Sequence, residues 1–183
     1  MVGSIDTRLI ILRGNSGSGK STTARAVRDK LGAGVALVEQ DYVRRIVLAE
    51  HGNGPANPGL IGVMVRYALD AGFHVILEGI FSKEHYGDLL IKLGNDHLGQ
   101  TRHYYFDLTF DETVRRHATR PLATEVSVDE MRGWYRPRDL LGLPGEMVIN
   151  SDQRLGDTVQ LIIDAGFPAA PALGQASPAV WLT

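Results

Sequence analysis

The chain has 183 residues, a net charge of −2 and no cysteine. It is one domain of ordinary size, long enough to bury a core, with no disulfides, thiolate metal sites or cysteine nucleophiles and no overall charge pulling it toward nucleic acid or an anionic membrane. No apolar run approaches the ~18 residues of a membrane span, and the N-terminus lacks the basic and apolar pattern of a secretion signal, so a cytoplasmic location is expected.

Residues 1–7 read as a short leader. Leu9-Ile10-Ile11-Leu12 is a short apolar run, which predicts a buried strand over Arg8–Arg13. Gly14-Asn15-Ser16-Gly17-Ser18-Gly19-Lys20-Ser21 follows and fits the phosphate-loop pattern G-x-x-x-x-G-K-[S/T] at every fixed position. Ala24, Val27 and Leu31 then form a helical stripe. The loop therefore joins a strand to a helix N-terminus, where unpaired N–H groups and the positive end of the helix dipole face an anion. Its glycines let the backbone curl around phosphate. Lys20 reaches the β- and γ-phosphates and the Ser21 hydroxyl ligates Mg²⁺. The motif specifies a nucleoside triphosphate and leaves the fate of the phosphate open.

Gly32 and Gly34 end the first helix. Val35–Val38 reads as strand two and delivers Glu39-Gln40-Asp41 to the sheet edge. A helix with Val43, Ile46 and Val47 on one face is expected next, then a loop over His51–Pro58. A third helix carries Leu60/Ile61, Met64/Val65 and Ala68/Leu69. Phe73–Leu77 is strand three, with Glu78-Gly79 at its end. Ser82 caps a helix striped by Tyr86, Leu89, Leu90 and Leu93, and His103–Leu108 is strand four. Thr109-x-x-Glu112 and Ser127-x-x-Glu130 are capping boxes opening two further helices, the second stopped near Pro137. Met147–Ile149 is a last strand and Val159, Ile162 and Ile163 mark a last helix. The domain is expected over 1–166, with a small helical lid at about 115–140 and a Pro/Ala-rich, mostly irregular tail over 167–183.

Strands alternating with helices predict an α/β fold of three layers, a five-stranded parallel sheet covered on both faces. Ligands in such sheets bind beyond the carboxyl ends of the strands. The phosphate loop, Asp41 and Glu78 all fall there. Asp41 reads either as a general base that takes a proton from an acceptor hydroxyl or as the cap of the helix beginning at Tyr42. Glu78 reads as a holder of a Mg²⁺-bound water, as an orienter of the acceptor or as a plain loop residue. Glu39 reads as structural. Arg116 and Arg120 are four apart and share a face if the helix reaches that far; Arg120, just before Pro121, reads either as an arginine finger on a closing flap or as part of a solvated basic face. Trp134 and Tyr135 either stack on a base or sugar or pack the flap. The six histidines show no metal spacing and receive no catalytic role.

These residues resemble P-loop kinases of the group that includes the phage polynucleotide 5′-kinase domain, chloramphenicol phosphotransferase and zeta toxins, small-molecule kinases of AAA type. The resemblance spans roughly residues 8–165 and is closest at Asp41-Tyr42-Val43-Arg44 and from Asp107 through Leu141-Gly142. It implies the P-loop NTPase fold, Asp41 as catalytic base, Arg44 as a substrate-phosphate contact and Glu78 where the phage kinase has a substrate-side Asp. It also implies Arg120 as the flap arginine on the transferred phosphate and Arg116 near adenine. No fused phosphatase domain is expected, no basic channel is evident, and Glu78 is one methylene longer than the Asp it replaces.

The expected activity is an ATP- and Mg²⁺-dependent kinase. Gly14, Asn15, Ser16, Gly17, Ser18, Gly19, Lys20 and Ser21 hold the phosphates, Ser21 ligates the metal, and Lys20, Asp41 and Arg120 are catalytic. The expected acceptor is a small molecule bearing a hydroxyl: a nucleoside, a sugar-like compound or an antibiotic. The chain is expected as a monomer or homodimer without a membrane partner. A 5′-hydroxyl kinase acting on nucleic acid is the first alternative and a nucleotide-dependent switch or assembly ATPase the second. Against the second stand the lack of an Asn-Lys-x-Asp signature and of an apolar run ending in Asp.

Overall fold

The computed structural model describes residues 1–50, 56–118 and 126–167. Strand β1 (Arg8–Gly14) leads through the phosphate loop into helix α1 (Lys20–Leu31), and β2 (Val35–Glu39) follows. A short helix α2 (Gln40–Tyr42) runs directly into a π-helical turn over Val43–Val47. Then come α3 (Ala56–Asp70), β3 (His74–Gly79), α4 (Lys83–Asp96), β4 (Gln100–Asp107), α5 (Phe110–His117), α6 (Val128–Trp134), β5 (Met147–Asn150) and α7 (Leu155–Gly166).

The five strands form one sheet in the order β2-β3-β1-β4-β5, and every pairing is parallel. β1 is central, buried on both faces, which explains its unbroken apolar run. Its side chains alternate: Leu9 and Ile11 join a core with Ile61, Val65, Leu90 and Leu93 of α3 and α4, while Ile10 and Leu12 join the other with Ala24, Val27, Val159 and Ile162 of α1 and α7. The expected three-layer P-loop fold is thus present.

Four expectations need correction. The leader is stitched to the body: Val2 N–H donates to the Asp96 carbonyl at 2.8 Å, Leu98 N–H to the Val2 carbonyl at 3.0 Å, and Val2 is buried. The helix after β2 starts at Gln40, one turn widens to π geometry, and of its apolar residues Val43 is buried while Ile46 and Val47 are 66% and 51% exposed. Ala56–Pro58, expected in a loop, already belongs to α3, where proline is tolerated because first-turn N–H groups have no partner; residues 51–55 lie outside the described chain. The Thr109 box closes on one side: Thr109 accepts from Glu112 N–H at 3.4 Å, but the Glu112 carboxylate is taken by Arg115 and Arg116. The Ser127 box closes on both sides. The tail beyond Phe167, like Arg120 of the expected flap, lies outside the described residues.

Candidate active site

The phosphate loop packs tightly against α5. Gly17 has φ +79°, and a Cβ there would meet the Thr113 carbonyl oxygen at 2.5 Å, so only glycine fits. Gly19 caps α1 in the left-handed region, and α1 begins at Lys20. Lys20 is buried; its Nζ donates to the Asn15 carbonyl at 2.8 Å and to Ser18 Oγ at 3.3 Å. The ammonium is thereby held inside the curl of backbone amides where phosphate oxygens would lie.

Ser21 Oγ donates to Glu78 Oε1 at 3.1 Å. Glu78 ends the apolar run of β3, the strand beside β1, and its side chain is buried. Burial pushes its carboxyl above the ordinary range; Lys20 and the Ser21 hydroxyl pull it partly back, and Glu39 and Asp41 push it further up. A buried carboxylate next to a serine hydroxyl and a lysine suits a hard divalent cation with oxygen ligands. The apolar run that sequence reading sought with a terminal Asp is present here with a terminal Glu. Glu78 lies on the Ser21 side and not among the described residues lining the cavity that holds Asp41 and Arg44.

That cavity, about 250 Å³, opens past the ends of β2 and β3. Asp41 and Arg44 line it with Phe81, Trp134 and Arg136. Asp41 does not cap: the capping position is Glu39, and Asp41 lies in the first turn of α2. Its Oδ1 accepts from Arg44 Nη2 at 3.3 Å, and its side chain is 58% exposed toward the opening. The i,i+3 spacing that allows this pair is carried across the start of the π-helical turn, a departure often found at functional sites. Glu39 pairs with Arg25 at 2.6 Å, a structural role.

A second cavity of about 320 Å³ opens past β4 and β5, lined by Ser18, Gly19, Thr22, Phe106, Arg116 and Asn150 among others. Arg116 is fixed there: Nε donates to Glu112 Oε1 at 2.6 Å and Nη2 to the Ser151 carbonyl at 3.0 Å. Hydrogen bonds from Arg115 and Arg116 hold the Glu112 carboxyl down to about 2. Because β1 lies between β3 and β4 in the sheet, the phosphate loop separates the two cavities.

A family model for the AAA domain matches residues 9–137. The chain belongs to the AAA domain family. No curated protein matches it in sequence. Among solved structures, the AAA-domain chain superposes on the Mycobacterium tuberculosis APS kinase CysC in complex with AMPPNP and APS, with TM-score 0.70 and 22% identity over 86% of this chain and 96% of that one. A sugar kinase from Janibacter gives TM-score 0.61 at 18% identity over 86% and 92%. A gluconokinase from Sinorhizobium meliloti gives 0.54 at 17% over 86% and 89%. At these identities the likeness is one of fold. No helix among the described residues is long and apolar enough to cross a membrane.

Sequence reading missed Gln40 and Arg13 around the AAA-domain site, and missed the tie that Asn15, already placed in the phosphate loop, makes to Arg136. Gln40 is buried beside Asp41; its Oε1 accepts from Ile80 N–H at 2.8 Å and its Nε2 donates to Tyr86 Oη at 2.8 Å. A Cβ on Gly79 would meet Gln40 at 2.6 Å, so the glycine makes room for this bridge. Asn15 exchanges two hydrogen bonds with the Arg136 backbone, both 2.8 Å. Arg13, just before the loop, is fully buried. An arginine at the end of an apolar run was the available signal. Trp134 and Tyr135 divide their two readings: Tyr135 packs against Phe110 and donates to the Leu108 carbonyl at 2.8 Å, whereas Trp134 lines the Asp41 cavity.

Proposed function

We propose that this protein is an ATP- and Mg²⁺-dependent kinase that transfers the γ-phosphate to a hydroxyl of a small molecule. The single observation that carries this reading is the pair of cavities flanking one phosphate loop, with Arg116 in one and Asp41 in the other. A switch ATPase has no need of the second cavity; a phosphotransferase needs a place for its acceptor.

In this reading the nucleoside lies in the cavity beneath Arg116, and residues Gly14–Ser21 hold the phosphates. Ser21 and Glu78 would hold Mg²⁺ and its waters, and the metal would supply charge neutralisation for the transferring phosphate. Lys20 adds a fixed positive charge to the same oxygens. Asp41 accepts the acceptor's hydroxyl proton as the oxygen forms its bond to the γ-phosphorus and the bond to the departing ADP breaks. Arg44 orients Asp41 and reaches the acceptor. Arg120 remains the proposed arginine that closes over the transferring phosphoryl group.

The test is a [γ-³²P]ATP transfer screen against nucleosides, sugars and sugar acids, hydroxylated antibiotics and 5′-hydroxyl oligonucleotides. Asp41→Asn serves as control. It is expected to bind ATP within about twofold of the parent and lose about 10²–10⁴ in transfer rate, the usual worth of a positioned base. Full transfer by Asp41→Asn would remove it from the mechanism. Labelled oligonucleotide with strong salt dependence would move the acceptor to nucleic acid.

A further inference from the structure

Arg13 stands at the last side-chain position before the phosphate loop, with a side chain of zero exposure. Its Nε and Nη2 donate to the Phe81 carbonyl at 3.3 and 3.1 Å. Nη2 also donates to Asp139 Oδ2 at 3.0 Å, and Nη1 to Glu146 Oε1 at 3.1 Å. The guanidinium lies 5.2 Å from the centre of the Tyr105 ring. One side chain thus ties β1 to the β3–α4 loop and to the segment after α6.

Each partner passes the constraint onward. Asp139 Oδ2 also accepts from Lys83 N–H at 2.8 Å, at the start of α4. Glu146 accepts from Leu141 and Gly142 N–H at 3.2 and 2.9 Å. Tyr105 Oη accepts from Asp139 N–H at 3.0 Å and donates to the Arg136 carbonyl at 3.2 Å. The Arg136 backbone is in turn paired with Asn15 of the phosphate loop. Phe81, Ser82, Trp134 and Arg136, all on segments held by this network, line the Asp41 cavity. None of Arg13, Asp139, Glu146 or Tyr105 lines the Arg116 cavity.

A buried ion-pair network is a poor way to gain stability, since well-packed apolar residues of like volume do as well or better. What it gives is a fixed geometry with directional contacts in several planes, which an arginine fork supplies and a lysine does not. The geometry points to Arg13 as a positioning residue for the acceptor side of the site. It sets the wall of the Asp41 cavity against the phosphate loop and leaves the nucleoside side alone. This rests on the reading of that cavity as the acceptor site.

The test compares the full chain with Arg13→Met and Arg13→Lys, and with Tyr105→Phe and Asp139→Asn as milder variants should Arg13→Met fail to fold. Amide hydrogen exchange by mass spectrometry is read over 80–86 and 134–146, and AMP-PNP·Mg²⁺ affinity by calorimetry. Where the transfer screen yields an acceptor, its KM is read against the KM for ATP. The expected result is at least a tenfold loss of protection confined to those two segments in both Arg13 variants, a smaller loss in Tyr105→Phe, and AMP-PNP affinity within twofold. Acceptor KM rises at least tenfold while the KM for ATP holds. Unchanged protection there, loss spread evenly over the sheet, restoration by lysine, or AMP-PNP affinity falling in step would each overturn the inference. An empty transfer screen would instead sink the kinase reading, while exchange and nucleotide binding would still decide the role of Arg13.

Discussion

Replacing Tyr86 by Phe removes one oxygen from the floor of the Asp41 cavity, and the structure sets its cost. Tyr86 is 3% exposed, Gln40 6% and Asn57 1%. The hydroxyl accepts from Gln40 Nε2 at 2.8 Å and donates to Asn57 Oδ1 at 3.3 Å. All three groups are almost wholly buried, so the variant leaves the Gln40 amide donor without the partner it now has at 2.8 Å. Asn57 Nδ2 has no partner among the described residues. An unsatisfied buried group costs about 1–3 kcal/mol. With one well-formed and one long bond lost, the expected destabilisation is about 2–3 kcal/mol. For a chain of this size that is a fall in Tm of roughly 5–10 °C. Because Gln40 also fixes Ile80 N–H and precedes Asp41 in α2, transfer should slow several-fold with ATP binding intact. Urea unfolding of Tyr86→Phe, Gln40→Met and the double variant checks the assignment. Tyr86→Phe should cost less in the Gln40→Met background, with a coupling of about 1 kcal/mol or more. A single-variant cost below about 0.5 kcal/mol, within the range of ordinary surface changes, or strict additivity, would refute the reasoning.

Glu78→Gln is expected to raise Tm at neutral pH in metal-free buffer and to abolish most of the further rise caused by Mg²⁺ with AMP-PNP. The sign comes from burial, which raises the Glu78 carboxyl above its ordinary value in the folded chain. Its contribution to stability is full below the unfolded carboxylate range and is lost as pH rises through the raised folded value; the uncharged variant removes that loss. A metal-free Tm equal to or below the parent at pH 7 to 8 would contradict it. Gly17→Ala places a methyl 2.5 Å from the Thr113 carbonyl at φ +79°, a backbone strain of about 1–2 kcal/mol before any movement of α5. It should weaken AMP-PNP binding at least tenfold by calorimetry, and affinity within twofold would show that the loop and α5 separate freely.

Much of the architecture was written in period and punctuation. The β1 run, the stripes of α1, α3, α4 and α7 and the parallel sheet come from where apolar residues recur. The phosphate loop is legible because its function requires a contiguous backbone shape. The acceptor side was only half legible. Asp41 is visible because it comes just after a strand, but whether it caps depends on where α2 begins, and the helix starts one residue earlier than Asp41 under the pull of Gln40 on Ile80 and Tyr86. Ile46 and Val47 have the spacing of a buried face yet stay exposed, because the π-helical turn rotates them off the core. Arg13 and its partners were not legible as a unit. Asp139 and Glu146 lie 126 and 133 positions away in sequence, and nothing local announces a pairing made by tertiary structure.

The order of the strands has a stereochemical consequence. With β1 in the middle, the proposed transfer would bring an alcohol from the β2–β3 flank and send a diphosphate toward the β4–β5 flank, on opposite sides of one phosphorus atom. A single displacement of that kind turns the atom inside out like an umbrella. A phosphoryl group made chiral with oxygen isotopes would leave this protein as its mirror arrangement, whereas a route through a phosphorylated side chain, with two displacements, would return it unchanged.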